Sequence, residues 1–79
     1  MKIYKYDGKC NISGSAIRKE RELLRLSQEQ LAAKIQLEGI NLNQKAISRI
    51  ESGARVIADY ELRGIAKVLN VTACTLLGE

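Results

Sequence analysis

Asn43-Gln44-Lys45-Ala46-Ile47-Ser48-Arg49-Ile50-Glu51-Ser52-Gly53 is the stretch that decides the fold. Wound as a helix, it gathers Ala46, Ile47, Ile50 and part of Glu51 on one side and Gln44, Lys45, Ser48, Arg49 and Ser52 on the other. One side can pack on a domain while the other presents amide, hydroxyl and cationic groups, the chemistry that reads base edges in a DNA groove. Gly53 is placed to end the helix, because glycine takes the left-handed cap conformation without a Cβ penalty. Just upstream, Ser27-Gln28-Glu29-Gln30-Leu31-Ala32-Ala33-Lys34-Ile35 reads as a partner helix. Ser27 and Gln30 complete a capping box at its start.

The same start signal recurs along the chain: an apolar residue, a polar cap, then an apolar residue at the fourth helical position, the hydrophobic staple. It occurs as Ile12, Ser13, Ile17; as Leu26, Ser27, Leu31; as Leu42, Asn43, Ile47; and as Val71, Thr72, Leu76. Helices are therefore predicted over residues 14–25, 28–36, 44–52, 58–69 and 73–78, with Ile17, Arg21 and Leu24 on the inner stripe of the first. Leu31, Ala32 and Ile35 face inward on the second, and Leu62, Ile65, Ala66 and Leu69 on the fourth. Ala58 is a poor cap, but Asp59 and Glu61 suit the positive end of the fourth helix. The fold class is all-α, a compact five-helix bundle.

Composition agrees. Seventy-nine residues make one domain. A chain of this size buries only about 60% of its unfolded surface, so the core is thin. Without Phe or Trp that core must be aliphatic, and the lack of Pro also favours helices over a strand-rich fold. The net charge of +4 suits a polyanionic partner. There is no His, and Cys10 and Cys74 are the two thiols. No metal site or cofactor is expected, and both cysteines are expected reduced and unpaired, Cys74 as a small buried residue. No leader-like or membrane-spanning apolar run is present, so a cytoplasmic protein without membrane association is expected. No nucleophile has an activating neighbour and the carboxylates are scattered, which argues against an enzyme. Residues 1–12 differ from the rest: they are basic, lack a helical period and carry the Asp7-Gly8 turn signal. They are read as an N-terminal arm, either loosely docked or touching DNA or a second subunit, with residues 13–79 as the helix-turn-helix domain.

From Ile17 to Leu77 the chain resembles the lambda-repressor-like, or Cro/Xre-type, helix-turn-helix family. The marks are Ile17-Arg18 with Arg21, Leu26-Ser27-Gln28, Leu31-Ala32, the run from Ile47 to Gly53, Leu62, Ile65-Ala66, Leu69-Asn70-Val71 and Leu76-Leu77. Their order and spacing carry the likeness. The resemblance implies a transcriptional regulator, a repressor, that binds double-stranded DNA as a homodimer. Its third helix would enter the major groove with the second lying across it. It assigns base reading to Gln44, Lys45, Ser48 and Arg49. Gln28 is assigned to the DNA backbone, where a helix N-terminus attracts phosphate. Ser27, Asn43, Ser52, Gly53 and Arg55 are counted with it, the last two in a loop expected to offer the amides of Gly53 and Ala54. It also implies that Arg21 and Glu51 join the first and third helices in a buried salt bridge, which would solve the cost of a charge on each inward stripe.

One feature departs from the family. The connector Gln36-Leu37-Glu38-Gly39-Ile40-Asn41-Leu42 is roughly five residues longer than the usual tight turn. Leu37 falls off the inward stripe of the second helix, which is expected to end before Glu38 or at Gly39, and Ile40 and Leu42 are expected to pin the loop to the core. Val71, Leu76 and Leu77 are the expected subunit contact, or else close the core. A rival class is an antitoxin-like or protein-interaction module of the same fold, with a protein as its main partner. Such a module would carry apolar anchors on the outer face of the third helix.

Overall fold

Side-chain caps set where three of the helices begin, and in each the cap belongs to the residue the sequence nominated. The computed structural model describes residues 5–79, and the first four residues of the expected arm lie outside them. The helices are α1 (Gly14–Leu23), α2 (Gln28–Leu37), α3 (Gln44–Glu51), α4 (Asp59–Leu69) and α5 (Ala73–Leu76). Ser27 Oγ accepts from the Gln30 amide at 3.0 Å, and Gln30 Oε1 accepts from the Ser27 amide at 2.8 Å, closing the capping box of α2. Asn43 Oδ1 accepts from the Ala46 amide at 2.8 Å to start α3, and Thr72 Oγ1 accepts from Thr75 at 3.1 Å to start α5.

The other two starts are built differently. Ser13 makes no side-chain cap, and Ile12 is 53% exposed, so the staple expected there does not form. Asn11 takes over: its Oδ1 accepts from the Gly14 amide at 2.8 Å, while its Nδ2 donates to the carbonyls of Ile50 and Arg55 at 3.0 and 2.7 Å. The first turn of α1 is thereby tied to the end of α3. At α4, Glu61 reaches back to accept from the Ala58 amide at 2.9 Å, the half of a capping box that needs no acceptor on Ala58.

The α1 helix stops two residues earlier than expected. Arg25 adopts φ 57°, and the left-handed turn there reverses the chain. Leu24 is left 49% exposed, and Leu26 is the residue that packs on the core. The α2 helix ends as anticipated, with Glu38 as the cap and Gly39 at φ 80°. Leu37 projects into solvent at 86% exposure. Leu42 is fully buried and Ile40 lies against Gly64 of α4, so the long connector is pinned on both sides. Lys67 Nζ meets Glu38 Oε1 at 2.7 Å and Gln36 Nε2 donates to the Leu42 carbonyl at 3.1 Å, fastening it further.

The core is aliphatic, with Ile17, Leu31, Ile35, Leu42, Ile47, Ile50, Ile65 and Leu76 at its centre. Each contributes about 1.5–3 kcal/mol through burial. Helix α3 packs on α1 and α2, α4 packs on α2 and α1, and α5 closes the bundle against α1 and α4. Leu76 is spent on that closure and cannot serve a subunit contact from the surface, whereas Leu77 stays partly exposed. Leu62, expected inward, is only partly buried but packs on the core. Among the described residues, no helix is long and apolar enough to cross a membrane.

Candidate nucleic-acid interface

Arg21 sits in the last turn of α1 and aims its guanidinium at α3. Its Nε donates to Glu51 Oε2 at 2.7 Å and its Nη2 to Glu51 Oε1 at 3.0 Å, while Nη1 donates to the Leu26 carbonyl at 2.7 Å. The two side chains are 11% and 4% exposed, so the expected buried bridge is present. The hydrogen bonds to Glu51 raise the Arg21 pKa against the opposing effect of burial, and the negative charge of Glu51 adds to the rise. The pair fixes the rotation and height of α3 relative to α1.

The bridge continues to the surface. Gln28 Nε2 donates to Glu51 Oε1 at 3.1 Å, and Gln44 Nε2 donates to Gln28 Oε1 at 2.7 Å. A carboxylate only accepts, so Glu51 turns the Gln28 amide nitrogen inward. The Gln28 oxygen is then left for Gln44. Gln44, exposed at the start of α3, keeps its carbonyl oxygen and one N–H for an outside partner. The first residues of α2 and α3 are thus linked to each other and to α1 by one run of hydrogen bonds.

On the rest of α3, Lys45 and Arg49 are exposed and Ser48 is half-buried. Gln44, Lys45, Arg49 and Ser52 are open to solvent, and the connector is fastened to α4 by Ile40 on Gly64 and Glu38 on Lys67. Among the flanking residues, Asn43 keeps its Nδ2 group free of the cap bond, and Ser52 Oγ donates to the Arg49 carbonyl at 3.1 Å. Ser27 is exposed with its oxygen engaged in the capping box.

The loop after α3 departs from expectation. The Gly53 amide donates to the Ile50 carbonyl at 3.0 Å and the Ala54 amide to the Arg49 carbonyl at 2.8 Å, so neither is a free donor. Gly53 takes φ 81° and is buried beneath the Lys9 side chain. Arg55 is bound within the fold as well: Nη1 donates to Glu61 Oε1 at 3.0 Å and to the Val56 carbonyl at 2.8 Å, and Nη2 donates to Glu61 Oε2 at 3.1 Å. The hydrogen bonds from Arg55 hold the buried Glu61 carboxyl below its ordinary pKa, against burial and with help from the Ala58 amide. The same contact raises Arg55. Sequence reasoning read Glu61 only as a charge at a helix end. The available signal was a Glu at the third position of a helix whose cap has no acceptor, six residues after an Arg. Cys74 is exposed, not buried, and Cys10 is half-buried; neither is in a disulfide.

A family model described as helix-turn-helix, of the Cro/C1 type, matches residues 17–76. The chain belongs to that family. No curated protein and no solved structure matches it. The family is one of DNA-binding regulators. The matched segment runs from the middle of α1 to the end of α5, so it takes in Arg21, Glu51, Gln28 and the whole of α3. It leaves out Asn11 and the turn that precedes it.

Proposed function

We propose that the protein is a sequence-specific, double-stranded DNA-binding transcriptional repressor that inserts α3 into the major groove and works as a homodimer on paired half-sites. Gln44, Lys45, Ser48 and Arg49 read bases. Ser27 and Asn43 hold the DNA backbone with the donors their cap bonds leave free, Gln28 with the one N–H not given to Glu51, and Ser52 by turning its hydroxyl from the Arg49 carbonyl to a phosphate. Arg55 keeps its Nε–H for the same strand, and Gly53 serves by shaping the corner. Repression follows from occupancy, since a domain seated in the groove excludes other proteins from that site.

The observation that carries the reading is the Gln44–Gln28–Glu51–Arg21 run. It holds an exposed amide at the tip of α3 in one orientation, and a pre-set side chain loses less freedom on binding. With one N–H and one carbonyl oxygen to offer, Gln44 matches the N7 acceptor and N6 donor of adenine. The outer face of α3 carries no apolar anchor, which favours DNA over a protein groove.

Selection from a random duplex pool tests the reading. The expected product is one preferred sequence with two half-sites centred about one helical turn, or a multiple, apart. Recovery of unrelated sequences with no common half-site would refute it.

A further inference from the structure

Before α1, the chain makes a hairpin that the family segment does not include. Tyr6 and Lys9 exchange both backbone hydrogen bonds, at 2.8 and 2.9 Å. Asp7 and Gly8 between them take φ 51° and 77°, as a two-residue type I′ turn requires. The hairpin is fixed to the far end of α3. The Cys10 amide donates to the Gly53 carbonyl at 2.8 Å, and the Asn11 side chain bridges Ile50 and Arg55. The Lys9 stem lies over Gly53 so closely that a Cβ there would meet its Cγ and Cδ at 3.0 Å.

This placement matters for an eight-residue helix. At 1.5 Å per residue α3 spans about 12 Å, and the B-DNA major groove is about 12 Å wide. Seated in that groove with its N-terminal residues on the base edges, so short a helix brings its C-terminal corner to the bordering phosphates. At that corner the Gly53 and Ala54 amides are consumed internally and Arg55 is largely committed to Glu61. Lys9 is exposed, and its stem is already held there by packing.

We infer that the Tyr6–Lys9 hairpin is a second DNA-binding element, in which Lys9 takes a backbone phosphate beside the C-terminal end of α3. The inference rests on the DNA-binding reading above. A phosphate contact adds affinity without base preference. Each one contributes about 0.9 to the slope of log K against log salt, equivalent to about eightfold at 0.1 M salt when the contact fades near 1 M.

The test is a salt series on Lys9→Gln with a labelled duplex from the selection and a second duplex of scrambled sequence. Lys34→Gln removes the same charge from the α2–α4 side, next to Leu37 and Val68. Lys9→Gln should lower affinity for both duplexes by a similar factor, flatten the slope by about one unit and leave the ratio between them unchanged. Lys34→Gln should do much less. Thermal melts of each variant separate loss of folded protein from loss of contact. If the unaltered protein binds neither duplex, the DNA-binding reading fails and takes this inference with it. If the unaltered protein binds but Lys9→Gln keeps its slope, or if both variants lose equally, the hairpin contact alone is refuted.

Discussion

Replacing Glu51 by Ala would leave the Arg21 guanidinium, 11% exposed, with two of its hydrogen bonds unmet. Hydrogen bonds to charged groups contribute about 1.5–3 kcal/mol each, and removing one member of a buried ion pair costs about 3–5 kcal/mol. Arg21 would keep the Leu26 carbonyl at 2.7 Å, and its slight exposure admits some water, which places the expected loss near the lower bound, about 3 kcal/mol. For a chain of this length, total stability is about 4–12 kcal/mol, so the variant would be partly unfolded or close to it. Urea denaturation followed by helical circular dichroism reads this directly. With a slope of about 1 kcal/mol per molar urea, the midpoint should fall by about 3 M. The pairwise contribution comes from a cycle with Arg21→Met and Arg21→Met/Glu51→Ala. The double variant should be more stable than Glu51→Ala, and the coupling energy should reach about 2 kcal/mol. A coupling within about 0.5 kcal/mol of zero would refute the assignment of this pair as the tie between α1 and α3.

Further expectations follow from the same contacts. Arg49→Ala should relax preference at one base position and cost about 1–3 kcal/mol on the selected duplex, with little change on scrambled DNA; equal losses on both, measured by titration, would reject base reading. The Glu61 carboxyl has a folded pKa below its ordinary 4.5, so its stabilisation is fully present above that value and fades as pH falls through the folded pKa. Glu61→Gln should therefore be less stable than the unaltered protein at pH 7, with the gap closing on acidification below 4.5 in pH-resolved melts. Gly64→Ala places a methyl group against Ile40 Cδ1 and should cost about 1–3 kcal/mol, with recovery when Ile40 is shortened to Ala in the same chain.

The parts of this fold that were legible in the sequence are those whose causes are local. Ser27, Asn43 and Thr72 cap helices with acceptors one turn from their donors, so the cap and its helix are read together. The apolar period alone placed Ile47 and Ile50 inside and Gln44, Lys45 and Arg49 outside. Gly39 marked the end of α2 for the same reason. The start of α1 at Gly14 was legible but its cap was not: Asn11, which bonds the Gly14 amide, is held in place by Ile50 and Arg55, 39 and 44 positions away. Leu24 was misplaced because an Arg, not a Gly or Asn, takes the left-handed turn behind it. At the site, the exposed face of α3 could be drawn from sequence. The link from Gln44 through Gln28 to Glu51 could not, since it crosses between helices. The loop amides were misjudged because their acceptors lie in the last turn of α3 itself.

The central claim is that the exposed side of α3 is the surface that meets DNA. Nuclear magnetic resonance on isotope-labelled protein titrated with the selected duplex tests it most directly. The largest shifts should fall on the backbone amides of Gln44, Lys45, Ser48 and Arg49, on the Gln44 side-chain amide and at the start of α2. Shifts clustered on α4 or around Leu23 and Leu77, with α3 unmoved, would contradict it.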